Sequence, residues 1–169
     1  MLHHMGRSIF IMNKKKIGIG FVGAGWMGSA LLRKLVQRED VKIWSLHQRS
    51  KEKALKILQE LDLEKNCYEP KFTSLLENPK IEAIFICSSN EAHGPQAIAA
   101  QKAGKHVFCE KPLSFSENEI QEIIKTMGDQ YFFILFSTSA TESLSGYIGT
   151  FGKINFLIKP IPTSSFLVI

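Results

Sequence analysis

The stretch KIGIGFVGAGWMGSALLRKL, residues 16–35, runs from an apolar segment into three closely spaced glycines and then becomes amphipathic. Ile17, Ile19, Phe21 and Val22 suit a buried parallel strand, and Ala30, Leu31, Leu35 and Val36 recur at helical spacing after Ser29. Gly23, Gly25 and Gly28 form G-x-G-x-x-G, with Ala24, Trp26 and Met27 between them. Strand, glycine turn and helix in that order give the motif its meaning. Gly23 allows the tight turn, Gly25 lets the backbone approach a pyrophosphate, and Gly28 lets the helix lie against the strand, with the anion at the helix N-terminus. The plainer reading is a glycine-rich turn that binds nothing; the flanking strand and helix argue against it.

A chain of 169 residues with 44% hydrophobic content has the size of one domain and enough apolar surface for a real core. The net charge of +5 owes much to Lys14, Lys15 and Lys16, just before the first strand. No basic stripe interleaved with aromatics follows, so nucleic acid is not an expected partner. Cys67, Cys87 and Cys109 have no metal-ligand spacing and read as small buried residues in a reducing, cytoplasmic setting; no metal is expected. The apolar run near the N-terminus is too short for a signal peptide and no membrane span follows. Residues 1–14 read as a flexible extension.

The segment VKIWSL, residues 41–46, reads as the second strand, ending at His47, Gln48, Arg49 and Ser50. This lies roughly 20 residues past the glycines, where a fold that prefers NAD places an acid on the ribose 2′-hydroxyl. No acid occurs between Val41 and Lys51. A 2′-phosphate would instead meet Arg49 and Lys51, with Gln48 and Ser50 able to hydrogen-bond, so NADP is the expected cofactor and NAD the alternative. The bland reading is an exposed basic turn. Residues 51–61 form an amphipathic helix with Ala54, Leu55, Leu58 and Leu61 on one face. A short third strand is expected at 66–68, and Thr73 as the cap of a short helical turn at 74–77.

IEAIFIC, residues 81–87, reads as a buried strand, 88–93 as a loop and 95–103 as a helix. Ligands in an open parallel sheet sit beyond the carboxyl ends of strands, so Ser88, Ser89 and Asn90 should lie beside the cofactor. His93 either approaches the cofactor or satisfies the start of its helix; the second reading is favoured, since no partner for acid/base work is visible. HVFC, residues 106–109, is the next strand and ends in Glu110, Lys111 and Pro112. The proline can fix the turn, including through a cis peptide, and aim Lys111 across the crevice, with Glu110 orienting it. The alternative is an exposed ion pair. Ser116 and Glu119 fit a capping box for a helix running to Met127, and residues 131–136 read as the sixth strand. The expected fold is therefore α/β, a doubly wound parallel sheet of the Rossmann type, over residues 15–136.

GFVGAGWMG at 20–28, AIFICSSNEAH at 83–93 and AGKHVFCEKPLS at 103–114 together resemble the Gfo/Idh/MocA family, the glucose–fructose oxidoreductase and inositol dehydrogenase relatives. The resemblance covers about residues 15 to 128, and the last motif is more specific than the glycines. It implies a nicotinamide dinucleotide as cofactor and hydride transfer to or from a carbinol carbon of a sugar, cyclitol or related polyol. By it Lys111 is the motif lysine near nicotinamide and substrate, the catalytic candidate, and Ser88, Ser89 and Asn90 line the cofactor groove. Together with the residues read above, the cofactor-binding candidates are Gly23, Ala24, Gly25, Trp26, Met27, Gly28, Gln48, Arg49, Ser50, Ser88, Ser89, Asn90, His93, Glu110, Lys111 and Pro112.

Family members continue into a basic and aromatic segment and a second α/β domain. Here residues 137–149, STSATESLSGYIG, are small and polar, and FGKINFLIK at 151–159 resembles that domain's first strand. Residues 137–169 are thus expected to be a divergent remnant of the substrate domain. On this reading the chain lacks the family's aspartate and histidine that handle the substrate proton, and catalysis by it is in doubt. The alternative function is a non-catalytic NADP(H)-binding module or an inactive fragment. A homo-oligomer is a possible assembly.

Overall fold

The computed structural model describes residues 15–126 and the backbone of residues 132–135. The expected extension at 1–14, the end of the fifth helix at Met127, and the remnant at 137–169 lie outside the described residues. In chain order the elements are β1 (Ile17–Val22), α1 (Trp26–Leu35), β2 (Val41–His47), α2 (Lys51–Glu60), a 3₁₀ turn (Lys65–Cys67), β3 (Tyr68–Glu69), α3 (Phe72–Glu77), β4 (Ala83–Ile86), α4 (Asn90–Lys102), β5 (His106–Glu110), α5 (Glu117–Thr126) and β6 (Phe132–Leu135). The strands form one sheet in the order β3-β2-β1-β4-β5-β6, and every pairing is parallel. This is the doubly wound Rossmann arrangement, and its order reverses between β1 and β4.

The two faces of the sheet carry separate cores. On one, α1 and α2 cover Ile19, Phe21, Phe85 and Phe108 with Leu31, Leu32, Leu35, Ala54, Ile57 and Leu58. On the other, Leu75, Ala97, Ala100 and Ile123 of α3, α4 and α5 pack on Val22, Ile84, Ile86, Val107 and Cys109. Burial on both faces explains why β1 reads as a continuous apolar run. Phe21, Phe85 and Phe108 lie in register on β1, β4 and β5. Their rings stack, with centroids 6.0 Å and 4.7 Å apart, so three strands are joined through one aromatic row. Each buried leucine of α1 contributes about 1.5–3 kcal/mol.

Several local expectations are corrected. Helix α1 starts at Trp26, before Ser29, because Gly28 has no Cβ and its turn can lie on the end of β1; Leu32 joins its buried face, while Ala30 and Val36 are half-buried. The buried face of α2 is Ala54, Ile57 and Leu58, with Leu55 and Leu61 at its margin. The third strand is later, at Tyr68–Glu69, since the chain first makes the 3₁₀ turn. Thr73 is not a cap: α3 begins at Phe72, and its N-cap, Lys71, makes no side-chain bond. Helix α4 begins at Asn90, so Asn90, Glu91, Ala92 and His93 belong to it and Pro95 lies inside. Pro95 is exposed, and its missing N–H removes only one helical bond, so proline marks no boundary here. Cys87 and Cys109 are buried free thiols as expected, but Cys67 is half-buried.

The capping of α5 is half of a capping box. Ser116 Oγ accepts from the Glu119 amide at 3.4 Å, but the Glu119 carboxylate reaches Ser114 Oγ, which itself accepts from the Ser116 amide at 2.9 Å. Lys105 was not singled out in the sequence, yet it is buried beyond the end of α4. Its Nζ donates to the carbonyls of Asn78 at 3.0 Å and Ile81 at 2.8 Å, and burial holds its ammonium below the ordinary lysine range.

Two outcomes are expected. A Cβ at Gly28 would collide with the Gly23 carbonyl oxygen, so Gly28→Ala should cost about 1–3 kcal/mol in urea denaturation; an unchanged midpoint would contradict so close a helix–strand approach. The unfolded chain binds the Lys105 proton more tightly than the folded one, so this group makes stability rise as pH climbs towards 10.5. Lys105→Met should flatten that part of the pH–stability curve.

Candidate functional site

The glycine turn follows β1, Gln48 to Ser50 follow β2, Ser88 and Ser89 follow β4, and Lys111 and Pro112 follow β5. Parallel strands place all four loops at the same, carboxyl edge of the sheet, on both sides of the order reversal. Hydrogen bonds join the first three of them, and His93 the fourth. The Gly23 amide donates to the His47 carbonyl at 2.9 Å, the Ala24 amide to Gln48 Oε1 at 3.4 Å, and the Cys87 amide to the Val22 carbonyl at 2.7 Å.

The three motif glycines differ in what requires them. Gly23 has φ +83°, and a Cβ there would meet the Cys87 carbonyl and come within 2.7 Å of Ser88 Cα. Gly28 is pressed against the Gly23 carbonyl. Gly25 is exposed, has φ −70°, and a Cβ on it would meet no described residue within 4 Å. Among the described residues nothing requires glycine at 25, and the position is open for a ligand to lie against the backbone.

Gly25 is also the N-cap of α1, and it supplies no side-chain cap; the first turn carries no acidic residue. The amides of that turn thus carry the positive end of the helix dipole with neither a side-chain cap nor an acid of their own turn to satisfy it. Helix α2 is the contrast: Ser50 Oγ accepts from the Lys53 amide at 3.2 Å, and Glu52 stands in the first turn. Of the residues between the glycines, Trp26 is 75% exposed beside the turn and Met27 packs against the core. These residues fit the pyrophosphate of a dinucleotide.

At the end of β2, Gln48 has its carbonyl oxygen turned to Ala24, which leaves its amide donors for a ligand. Arg49 and Lys51 are exposed. Ser88 is held back from the crevice, because its hydroxyl donates to Gln96 Oε1 at 2.6 Å, whereas Ser89 and Asn90 are exposed. His93 is 1% exposed and lies behind the crevice, with Nδ1 2.8 Å from the Pro112 carbonyl and Nε2 3.3 Å from the Ser88 carbonyl.

The Lys111-Pro112 peptide is cis. Lys111 is exposed and Glu110 half-buried. Burial pushes the Glu110 carboxyl above the usual carboxylate range, while Lys111 and His93 pull it back. Gln96 had no sequence signal, since its bond to Ser88 depends on α4 starting at Asn90. Among the described residues no group of three His, Cys, Asp or Glu could hold a metal ion. A cleft of about 550 Å³ beside Lys16, Arg38, Lys42 and Cys67 includes none of these residues.

Comparison with known proteins agrees with this geometry. Residues 17–131 match the Gfo/Idh/MocA model, described as an oxidoreductase family with an NAD-binding Rossmann fold. The myo-inositol 2-dehydrogenase of Thermotoga maritima is 32% identical over 107 residues, which are 63% of this chain and 31% of that protein. The inositol 2-dehydrogenase/D-chiro-inositol 3-dehydrogenase of Lactiplantibacillus plantarum is 35% identical over 107 residues, 63% of this chain and 30% of that one. Among solved structures, the myo-inositol 2-dehydrogenase from Lactobacillus plantarum superposes with a TM-score of 0.67 at 26% identity, covering 83% of this chain and 42% of that one. The chain spans about a third of the length of the curated relatives it matches. Motif, sheet order and family match converge: the chain belongs to the Gfo/Idh/MocA oxidoreductase family, and residues 17–131 carry that family's NAD-binding Rossmann fold.

Proposed function

We propose that this chain is the cofactor-binding part of an NAD(P)-dependent oxidoreductase acting on a CH–OH carbon of a sugar, cyclitol or related polyol. The observation that carries the reading is Gly25, an exposed N-cap glycine that none of the described residues requires, at the head of a helix with neither side-chain cap nor first-turn acid. The inositol dehydrogenases among its relatives support the substrate class. The dinucleotide would supply the hydride acceptor or donor. The amides of the first turn of α1 would hold its pyrophosphate, Ser89 and Asn90 would line its groove, and Lys111, free of the core, would bond a ribose hydroxyl or a substrate oxygen. Glu110 beside it would orient its side chain. The free thiols fit a reducing cytoplasmic setting, with the buried Cys87 pushed up to about 12.

The preferred cofactor in this reading is NADP. Gln48 presents donors rather than an acceptor, Arg49 adds a cation, and the turn holds no carboxylate to accept a 2′-hydroxyl or repel a phosphate. NAD remains the competing cofactor, and the ratio of affinities decides between them.

Gly25→Asp separates stability from binding. An aspartate at an N-cap bonds the first-turn amides and suits the dipole, so the variant should melt at or above the parent temperature. The same carboxylate would fill and repel the pyrophosphate position, so calorimetry should show a loss of roughly tenfold or more in dinucleotide affinity. Retained affinity would remove the reading. Arg49→Asp should move the NADPH/NADH affinity ratio towards NADH by a similar factor, and an unchanged ratio would sink the NADP assignment. Oxidation of NADPH by the pure chain with a panel of aldoses, ketoses and inososes tests the substrate class.

A further inference from the structure

The cleft of about 550 Å³ lies at the amino end of β2, at the opposite end of the strands from the crevice. Val41, Lys42, Ile43 and Trp44 all line it. Val41 and Ile43 belong to the core under α1 and α2, whereas Trp44 packs against the core on the other face of the sheet. A cleft that touches both faces of one strand runs along that strand's edge. The edge is the one away from β1, because β1 pairs with β2 from Val41 to His47 and β3 pairs only with Leu46 and His47. The Ile17 amide donates to the Asp40 carbonyl at 2.9 Å, so Asp40 and Lys42 turn their main-chain groups to β1. By alternation Val41 and Ile43 turn theirs into the cleft. The Cys67 thiol reaches the Ile43 carbonyl there, at 3.9 Å. Among the described residues no strand pairs with Val41 or Ile43 on this side, although they are only 7% and 5% exposed. Leu35, Val36 and Leu63 give the cleft an apolar wall, and Asp62 and Glu64 give it an acidic rim. Of its cations, Arg38 is paired with Asp40 and Lys42 lies over the Trp44 ring.

We propose that this edge is a docking site for the chain's own upstream segment: Ile9, Phe10, Ile11 and Met12 add to β2 as a short strand antiparallel to it. Lys16 lines the cleft, so the residues before Lys15, which lie outside the described residues, join the sheet at the cleft's mouth. A strand beyond β2 stands two strand spacings from β1, roughly 10 Å. Asn13, Lys14 and Lys15 cover about 10 Å when extended, enough to cross the start of β2. A segment that arrives by that crossing runs against the direction of β2. Its β-branched and aromatic residues suit a sheet, and their alternation gives one pair to the apolar wall of Leu35, Val36 and Leu63. Residues 1–16 contain no acid, and Arg7 and the lysines complement the rim of Asp62 and Glu64. The added strand satisfies the amides of Val41 and Ile43 and closes an edge open to pairing with another chain. This pairing does not depend on the dinucleotide site.

The test is amide hydrogen exchange on the purified full chain labelled with ¹⁵N, together with cross-strand NOEs. The expected result is slow exchange at Val41 and Ile43, with NOEs joining residues 9–12 to residues 41–43. In Ile9→Asp/Ile11→Asp the two amides should exchange about tenfold faster or more. Lys42, whose amide faces β1, should stay slow in the same variant and so report that the sheet is intact. Ile9→Val/Ile11→Val should keep the protection. Fast exchange at Val41 and Ile43 in the parent chain would overturn the pairing, and this arm needs no variant to fold. Protection that survives Ile9→Asp/Ile11→Asp unchanged would overturn it as well. In a mixture of ¹⁵N-labelled and ¹³C-labelled chains, NOEs between differently labelled chains would give the edge to a second copy and overturn the intramolecular strand.

Discussion

Everything at the carboxyl edge depends on how closely α1 comes down on the end of β1. Gly28 is pressed against the Gly23 carbonyl and Cys87 Cβ lies 3.0 Å from where a side chain would begin. That approach is possible only without a Cβ, and it fixes the direction in which the first turn of α1 points. The first turn of α1 then stands at the carboxyl end of β1, where the order of strands reverses. With a larger residue at 28 the helix must lift and its N-terminus with it. The apolar cores serve this constraint: Leu31, Leu32 and Leu35 hold α1 down, and the stacked row of Phe21, Phe85 and Phe108 holds β1, β4 and β5 in the register that brings their loops together.

Charge follows the same geometry. Helix α1 leaves its N-terminus uncapped and without an acid, while α2 caps itself with Ser50 and carries Glu52. An N-terminus without internal compensation costs little in water and becomes favourable when an anion docks. On the far side of the crevice, Glu110 is partly desolvated and balanced by Lys111 and His93. The two sides therefore differ in charge, an uncompensated helix N-terminus at α1 and a coupled carboxylate and lysine after β5.

Much of this was legible in the chain before its structure was considered. The central strands announce themselves because burial on both faces requires continuous apolar runs, and the glycine triplet has a spacing that few other turns need. The motif Glu110-Lys111-Pro112 placed a lysine at a strand end, where the structure puts it. Boundaries were less legible where tertiary contacts override local signals. Pro95 reads as a helix start, but α4 begins at Asn90, at an N-cap, Ser89, that makes no side-chain bond. Strand β3 is only two residues long and has no periodicity to detect. The role of His93 was out of reach for a different reason: its partners are backbone carbonyls of loops remote in sequence, and carbonyls leave no mark in residue identity. Lys105 escaped notice in the same way, since Asn78 and Ile81 hold it through their main chains.

The central claim is that the carboxyl edge of this sheet binds a nicotinamide dinucleotide, and the most direct measurement is a fluorescence titration of the purified chain with NADPH and with NADH. Trp26, 75% exposed in the glycine turn, is the reporter; Trp44, held between Lys42 and Lys80, is the constant background. The account predicts a saturable change with both, at lower concentration for NADPH. No saturable change with either, from folded and monodisperse protein, would contradict it.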